Sequence, residues 1–498
     1  MPRQHPVIWI TWDEAHIDTL GVFGAGTHRT PNVDALAARS HHFINARTAS
    51  PVCLPARCAM ATGLRPSTSG SMSNNAGAAL RPDAAQVFSL MHAHNYRTAM
   101  FGKCHFVPVP YAVTSLQRTL DYEPTLAYYR SLGIDELVVE DGKQCSVWFY
   151  DDWGKAITLS GLMDDYRAAL ANRENDRVFP FPGPEDLHPD RWVADQAIDY
   201  IRSAPDNAFI WISFAGPHYP QDPPQRCMDA VDMSRLPPRK IRPGEWDDKR
   251  KLHAQSFFGP GVTEGSARVE GGAQCRFTPE YWERWQKGYR GNVVLLDECM
   301  GDVLAALRQR YGDDALMIFT ADHGDMSGHH GIWAKNSAVY EDVLRIPLMV
   351  HLPGQTQGVV HDEPAGNLDL LPTTLRAAFG EAFACDGRDV LGSAAPDVIL
   401  SEQEAQIAVI RDGLKLSVTR RKGVWYQEMY DLVRDPNEFD NVFDAPEYAQ
   451  AQARLLALLH EDEARYQRIF YDGDVFPYWM APLQKGVKRR PRAAKGGD

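Results

Sequence analysis

The stretch that decides the fold class is Val7-Ile8-Trp9-Ile10-Thr11-Trp12, followed directly by Asp13-Glu14. The run is short, apolar, β-branched and aromatic, which predicts a buried strand. It ends on two carboxylates. Because ligands of open α/β sheets bind beyond the carboxyl ends of the strands, this stretch also predicts the edge of the sheet where a site lies.

Further strand-like and helix-like segments alternate along the chain to about residue 380. We predict strands over Tyr96–Phe101, Ala208–Phe214, Ala315–Thr320 and Ile346–Leu352. We predict helices over Asp34–Arg39 with Asn32 as N-cap, from Ala56 to Gly63, and over Pro189–Ser203 and Pro279–Arg310. This alternation predicts an α/β fold with a mostly parallel sheet sandwiched by helices.

The pattern changes after about Gly380. Short strands are predicted over Val398–Leu400, Ala408–Arg411, Leu414–Val418 and Val424–Met429, and a helix over Tyr448–Arg465. We therefore expect two domains: residues 1–380 carry the site, and residues 381–498 form a smaller antiparallel-sheet-plus-helix subdomain. Its basic tail, Lys485 to Arg492, is expected to be solvated.

Charge and composition exclude several classes of partner. The chain has 52 Lys+Arg against 65 Asp+Glu, a net charge of −13, which argues against a nucleic-acid-binding protein because such a protein needs a basic face. The apolar run near the N-terminus is too short for a signal-peptide core, and no apolar stretch approaches membrane-spanning length. We expect a cytoplasmic protein without a membrane partner. Of its eight scattered cysteines, we expect all but Cys53 to be reduced thiols.

Polar residues follow four of the predicted strands. Asp13 and Glu14 follow the first, Lys103 the second, His218 the third, and Asp322-His323 the fourth. Parallel strands bring these residues to one edge, where three carboxylates and an imidazole make a site for a hard divalent cation. Carboxylate oxygens suit Ca²⁺, Mg²⁺ or Mn²⁺, and the histidine favours Mn²⁺ over Ca²⁺.

The segment Cys53-Leu54-Pro55-Ala56-Arg57, running on to Thr62-Gly63, resembles the sulfatase signature C-x-P-x-R…TG. The resemblance implies that a formylglycine-generating enzyme oxidises Cys53 to formylglycine, whose hydrate is the nucleophile beside the metal. It also implies an alkaline-phosphatase-like fold and a small-molecule sulfate ester as substrate. It extends from about residue 5 to about residue 460.

Other segments resemble the same family. Gly102-Lys103-Cys104-His105 is similar to its G-K-x-H motif, Pro217-His218-Tyr219-Pro220 to its P-H-x-P motif, and Lys335 to a lysine that contacts the sulfate and the leaving oxygen. Glu14 stands where the family commonly has a second aspartate. Ligation by Glu14 and the identity of the metal therefore stay open.

The resemblance implies a mechanism for sulfate ester hydrolysis. Arg57 lies one helical turn from residue 53, so both side chains can face the same site. Lys103 and His105 are alternate residues of an extended segment and are expected to share a face. The leaving alcohol is protonated by His218 or Lys335, and His105 deprotonates the second hydroxyl of the hydrate.

Three alternatives compete with this interpretation. A phosphonate monoester or phosphodiester hydrolase of the same superfamily is the nearest, and the paired Lys103 and His105 favour sulfate over it. A phosphatase or phosphomutase uses Ser or Thr and usually two metals, which the motif at Cys53 argues against. A non-catalytic scaffold would hold no metal. The alcohol stays open among aryl, alkyl or choline-like sulfates and sulfated sugars, and a homo-oligomer, with the tail as an exchange arm, is compatible with the sequence.

Overall fold

The structure is a computed structural model that describes residues 4–74, 79–108, 119–172, 177–242, 245, 248, 266–268, 274–276, 279–332, 334–335, 338–403, 406–421 and 424–466. The predicted basic tail lies outside the described residues. Among the described residues, no helix combines the length and apolar character that crossing a membrane requires.

Sixteen strands are present among the described residues. They are β1 Val7–Asp13, β2 His41–Phe43, β3 Ala46–Arg47, β4 Arg97–Gly102, β5 Glu136–Val139, β6 Ala208–Pro217, β7 Ser266–Arg268, β8 Gln274–Arg276, β9 Leu316–Ala321, β10 Leu348–His351, β11 Val359–His361, β12 Ala365–Gly366, β13 Ile399–Gln403, β14 Gln406–Arg411, β15 Leu414–Arg421 and β16 Val424–Asp431. The helices are α1 Pro31–Ala37, α2 Cys53–Thr62, α3 Pro66–Ser69, α4 Val87–Ala93, α5 Glu123–Ser131, α6 Lys143–Phe149, α7 Asp152–Leu159, α8 Met163–Ala171, α9 Pro189–Ile201, α10 Gln225–Asp229, α11 Pro279–Tyr311, α12 Glu341–Leu344, α13 Leu370–Phe379 and α14 Ala449–Tyr466.

The main sheet has eight strands in the order β11-β2-β10-β9-β1-β6-β4-β5. Every neighbouring pair is parallel except the two pairs that β10 makes with β9 and β2. The predicted mostly parallel α/β sheet is therefore confirmed. β1 lies between β9 and β6, and all seven of its residues are buried, as its apolar sequence predicts.

Helices pack on this sheet and fix its central strands. The long helix α11 packs against α9, β6 and α1. The indole Nε1 of Trp9 in β1 donates to Thr374 Oγ1 of α13 at 3.0 Å, so α13 lies on the face of β1 to which Trp9 points. These contacts hold the carboxyl ends of β1, β4, β6 and β9 in a fixed arrangement.

Two predicted helix starts are wrong. Asn32 is not the N-cap of α1: Thr30 precedes the helix, and Pro31, whose fixed φ suits a first helical position, begins it. The Asn32 side chain instead donates to the carbonyl oxygen of Asp297 in α11 at 3.0 Å. The second predicted helix, α2, begins at Cys53 rather than at Ala56. Pro55 does not prevent this earlier start, because a proline is tolerated in the first turn of a helix.

The C-terminal part forms its own small layer. β13 to β16 make a four-stranded antiparallel sheet in chain order, and α14 packs on β14 and β15. Buried ion pairs join this layer to the rest of the protein, among them Arg65 with Glu402 at 2.8 Å. The predicted antiparallel-sheet-plus-helix subdomain is confirmed as an architecture, and the boundary at residue 380 stays a prediction.

Candidate active site

Four adjacent parallel strands carry the predicted site residues to one edge of the sheet. The register pairs Trp12 with Ala321 and Asp13 with Pro217, and it pairs Gly102 with Ser213. The residues that follow these strands are therefore neighbours in space. The structure brings together Asp13, Lys103, His218 and Asp322-His323, as predicted from the strand ends.

Residue 53 lies at the N-terminus of α2 and faces this edge. Cys53 is the first helical residue and is 1 % exposed. Its Sγ lies 3.2 Å from His323 Nε2. The next backbone amide, that of Leu54, donates to Asn74 Oδ1 at 3.0 Å, which fixes the start of the helix.

One group of ligand atoms surrounds a common point. An atom from each of Asp13, Cys53, Asp322 and His323 lies within 4.8 Å of the others. His323 Nε2 is 3.9 Å from Asp13 Oδ1 and 3.8 Å from Asp322 Oδ1. His323 Nδ1 donates to the Gly324 carbonyl at 2.8 Å, which leaves the Nε2 lone pair directed at the group.

These residues fit a divalent metal ion. Asp13 Oδ1 and Glu14 Oε1 are buried, and neither has a hydrogen-bond partner within the described part of the chain. A buried carboxylate oxygen without a donor is costly unless a cation faces it. Although burial opposes protonation, Asp322 and Cys53 raise the pKa of His323, an electrostatic setting that also favours a cation. The oxygen-rich donor set matches Ca²⁺, Mg²⁺ or Mn²⁺.

Glu14 lies beside this group rather than within it. Its backbone has a positive φ of 62°, and its Oε2 lies 3.1 Å from His218 Nε2 and 3.4 Å from Lys335 Nζ. Burial raises the pKa of Glu14 well above its ordinary value, and the nearby Asp325 adds to this effect. Glu14 thus lies between the candidate metal group and the pair formed by His218 and Lys335.

Two buried cations face the group. Arg57 is fully buried and donates to Asp322 Oδ2 at 2.9 Å, to Ser213 Oγ at 2.7 Å and to the Lys103 carbonyl at 2.8 Å. Lys103 Nζ donates to Asp13 Oδ2. Each aspartate therefore has one oxygen on a cationic side chain, which fixes the orientation of the other oxygen.

His218 and Lys335 form a contact pair. Lys335 Nζ lies 3.1 Å from His218 Nε2. His218 Nδ1 donates to the Tyr219 carbonyl at 2.8 Å, so Nε2 carries the lone pair and accepts from the ammonium. Burial and Lys335 hold the pKa of His218 well below its ordinary value. In this arrangement Lys335 carries the proton.

His105 is held in an unusual conformation. The predicted extended segment is wrong at this point, because Gly102 has a φ of 89° and His105 a φ of 46°. The His105 backbone amide donates to Asp141 Oδ1 at 2.7 Å. Both ring nitrogens are buried without a hydrogen-bond partner among the described residues. Burial and Lys103 lower the pKa of His105 to about 3, so the ring is neutral at pH 7.

The electrostatics of residue 53 favour an anion. Burial and Asp13 act to raise the pKa of the Cys53 thiol, but Lys103, Lys335 and His323 outweigh them and lower it to about 6. Lys103 and Lys335 thus place positive charge near residue 53. Such preorganised positive charge stabilises negative charge that develops during a reaction.

Sequence reasoning missed several residues of the site. Asn74 accepts a hydrogen bond from the start of α2, and Ser213 accepts one from Arg57. Nothing in the local sequence of either residue indicates this role. Asp325 interacts with Glu14, and its place three residues after Asp322 in the same loop was a usable signal. Asp141 holds His105 but lies on a turn far away in sequence.

A second group of possible ligands, His16, His329 and Asp342, lies outside the predicted site. His16 Nε2 and His329 Nδ1 each lie 2.9 Å from Asp342 Oδ1, and Lys240 Nζ lies 3.1 Å from the same oxygen. Because an ammonium group already faces the carboxylate, we assign this group a structural role.

Comparisons with known proteins find relatives over most of the chain. The family model that matches is Sulfatase, over residues 5–381. The chain is 25% identical to an arylsulfatase of Clostridium perfringens, covering 94% of this chain and 96% of that protein. It is 27% identical to a choline-sulfatase of Rhizobium meliloti, covering 93% of this chain and 90% of that protein.

Solved structures show the same fold. A phosphonate monoester hydrolase of Agrobacterium radiobacter superposes with a TM-score of 0.73 at 20% identity, covering 94% of this chain and 97% of that one. A structure in complex with D-glucosamine-2-N,6-O-disulfate superposes with a TM-score of 0.68 at 17% identity, covering 93% and 98%. The fold is alkaline-phosphatase-like. Since the family model covers most of the chain, the protein belongs to the sulfatase family and is a hydrolase of sulfuric esters.

Proposed function

We propose that this enzyme hydrolyses a small-molecule sulfate monoester through a formylglycine made from Cys53, with one divalent metal ion, Ca²⁺ or Mn²⁺ or else Mg²⁺. The observation that carries the proposal is the setting of residue 53. It lies at a helix N-terminus, 3.2 Å from His323 Nε2, among buried cations that lower its pKa to about 6. The Sγ atom marks where the hydroxyl oxygens of the hydrated aldehyde would lie.

The residues that would hold the metal are Asp13, Asp322, His323 and residue 53, with Glu14 at the border of the group. When bound, the ion supplies Lewis-acid polarisation of the reacting oxygens. Arg57 and Lys103 orient the two aspartates and add positive charge beside the sulfate group.

Formylglycine supplies two hydroxyl groups, one to attack sulfur and one to release the bound sulfate afterwards. In the first step one hydroxyl of the hydrate, which has lost its proton to solvent in the anion-favouring setting of residue 53, forms a bond to sulfur. The sulfur–oxygen bond to the alcohol breaks, and Lys335 donates a proton to the leaving oxygen. His218 accepts a hydrogen bond from the Lys335 ammonium at Nε2 and so orients it. In the second step the neutral His105 ring accepts the proton of the second hydroxyl, sulfate leaves with the electron pair of its carbon–oxygen bond, and the aldehyde is restored.

The substrate classes to test first come from the relatives. An aryl sulfate and choline sulfate correspond to the named activities of the Clostridium perfringens and Rhizobium meliloti proteins. A phosphonate monoester is the matched comparison, because hydrolases of such esters share this fold. We expect hydrolysis of a sulfate ester to exceed that of the phosphonate monoester, since Lys103 and His105 are both retained.

The test uses protein coexpressed with a formylglycine-generating enzyme, with release of inorganic sulfate as the readout. We expect sulfate release from at least one of the two sulfate esters and none from Cys53→Ala. Hydrolysis of the phosphonate monoester with neither sulfate ester hydrolysed would contradict the proposal. Equal turnover by Cys53→Ala would remove residue 53 from the mechanism.

A further inference from the structure

The turn after β5 contacts the segments that carry two of the three imidazoles of the site, those of His105 and His218. Residues Asp141 and Lys143 lie at this turn, on either side of Gly142, and both side chains are buried. No step described above uses them. Asp141 contacts the backbone of His105, and Lys143 contacts the turn that carries His218.

Asp141 fixes the backbone of His105. Its Oδ1 accepts from the His105 amide at 2.7 Å, and its Oδ2 accepts from Tyr129 Oη at 2.6 Å and from Tyr122 Oη. A non-glycine residue with a positive φ is strained and persists only where its surroundings hold it. With three donors on one buried carboxylate, Asp141 is well placed to hold His105 at its φ of 46°.

Lys143 fixes the turn of His218 from two ends. Its Nζ donates to the Pro220 carbonyl at 3.4 Å and forms ion pairs with Asp222 at 2.8 Å and Asp190 at 3.6 Å. Asp190 in turn accepts from the Gly216 amide at 2.8 Å. The bonds to Gly216 and Pro220 thus bracket His218. Lys143 makes the second bond itself and reaches the first through its ion pair with Asp190.

We propose that Asp141 and Lys143 are positioning residues for two histidines of the site. Asp141 acts through His105, and Lys143 acts through His218. The proposal rests on the proposed function, in which both imidazoles act on the substrate or on its proton donor. Because Asp141 and Lys143 lie two residues apart in the turn after β5, one short segment positions both histidines.

A double-mutant cycle tests the proposal with kcat/KM for a sulfate ester as readout. We expect Asp141→Ala to lower kcat/KM by about 10–100-fold, the range for partners that orient an active group. The same substitution should have little effect in a His105→Ala background and its full effect in a His218→Ala background. Asp141→Asn should restore most of the activity, because its amide oxygen still accepts from His105.

Lys143→Met should show the mirror-image pattern, losing its effect in the His218→Ala background and keeping it in the His105→Ala background. Tyr166→Phe is the matched control. It removes another donor to Asp222, Tyr166 Oη at 2.5 Å, and leaves the contacts of Lys143 with Pro220 and Asp190 in place, so kcat/KM should stay near the wild-type value. Additive losses in every background would overturn the proposal, because they indicate a general structural role.

A readout without turnover separates this proposal from the proposed function. In histidine-labelled protein, Asp141→Ala should shift the ring NMR signals of His105 and leave those of His218, whereas Lys143→Met should do the reverse. Unchanged ring signals would overturn the positioning roles. If the wild-type enzyme hydrolyses no sulfate ester, the proposed function fails while the NMR result still decides the positioning roles. Asp141→Ser and Lys143→Gln replace any variant that does not fold.

Discussion

Lys335 is the residue whose removal gives the most specific kinetic prediction. Its ammonium lies 3.1 Å from His218 Nε2 and 3.4 Å from Glu14 Oε2, and the side chain is 2 % exposed. Because His218 Nδ1 is committed to the Tyr219 carbonyl, the Nε2 lone pair accepts from Lys335. Lys335 is then the member of the pair that holds a proton for the leaving oxygen.

We expect Lys335→Ala to lower kcat for an alkyl sulfate by about 10²–10⁴-fold, the usual contribution of a positioned general acid. At 1.36 kcal/mol per tenfold change, this is about 2.7–5.4 kcal/mol of transition-state stabilisation. For 4-nitrophenyl sulfate the loss should be smaller than for the alkyl sulfate, because a nitrophenolate leaves without a proton and only the charge of the ammonium is lost.

The assay compares kcat for the two esters in wild-type enzyme, in Lys335→Ala and in Lys155→Ala. Lys155 is a matched control: it is a partly exposed lysine that pairs with Glu123 at 2.7 Å, away from the site. Its variant should keep wild-type kcat for both esters. An equal loss on both esters for Lys335→Ala would refute proton donation by Lys335, and no loss would refute any role in turnover.

Four further results are expected. Cys53→Ser should abolish turnover while trapping one sulfate group on the serine, seen by intact mass, and turnover near the wild-type rate would contradict the formylglycine mechanism. Removal of metal by a chelator should abolish activity, and Ca²⁺, Mn²⁺ or Mg²⁺ should restore it; full activity in metal-free protein would contradict the metal site. Arg65→Met should lower the unfolding free energy by about 3–5 kcal/mol in denaturant titrations, because it leaves Glu402 and Asp462 buried without their cation. A loss near the 0–1 kcal/mol of a surface ion pair would contradict this. Burial lowers the pKa of His28 to about 4 from 6.5. Its contribution to stability is therefore present above pH 6.5 and is lost, by up to roughly 3 kcal/mol, as the pH falls towards 4. His28→Asn should flatten this pH dependence of the unfolding free energy, and an unchanged slope would contradict it.

The sequence predicts the sheet and its active edge because those features depend on local composition. The run from Val7 to Trp12 is apolar except for Thr11, and a short β-branched and aromatic run of this kind is typical of a strand buried on both faces. Polar residues at the ends of parallel strands then meet, since the register of such strands aligns their carboxyl ends. This reasoning reaches Asp13, Lys103, His218 and Asp322 without any knowledge of tertiary contacts.

The features that sequence reasoning missed depend on tertiary contacts. Asn32 has the composition of an N-cap, but its amide bonds to Asp297 of a distant helix instead. The bent backbone of His105 follows from its bond to Asp141, which lies on another strand end. Such pairings join residues far apart in sequence, so neither hydrophobic periodicity nor motif spacing can indicate them.

The central claim, that residue 53 acts as formylglycine, is tested most directly by the mass of the tryptic peptide Thr48 to Arg57. The protein is coexpressed with a formylglycine-generating enzyme and digested without prior alkylation. The account predicts a peptide in which the thiol of Cys53 has lost sulfur and two hydrogens and gained one oxygen, in proportion to the sulfatase activity of the preparation. An intact cysteine in a preparation with full activity would contradict it.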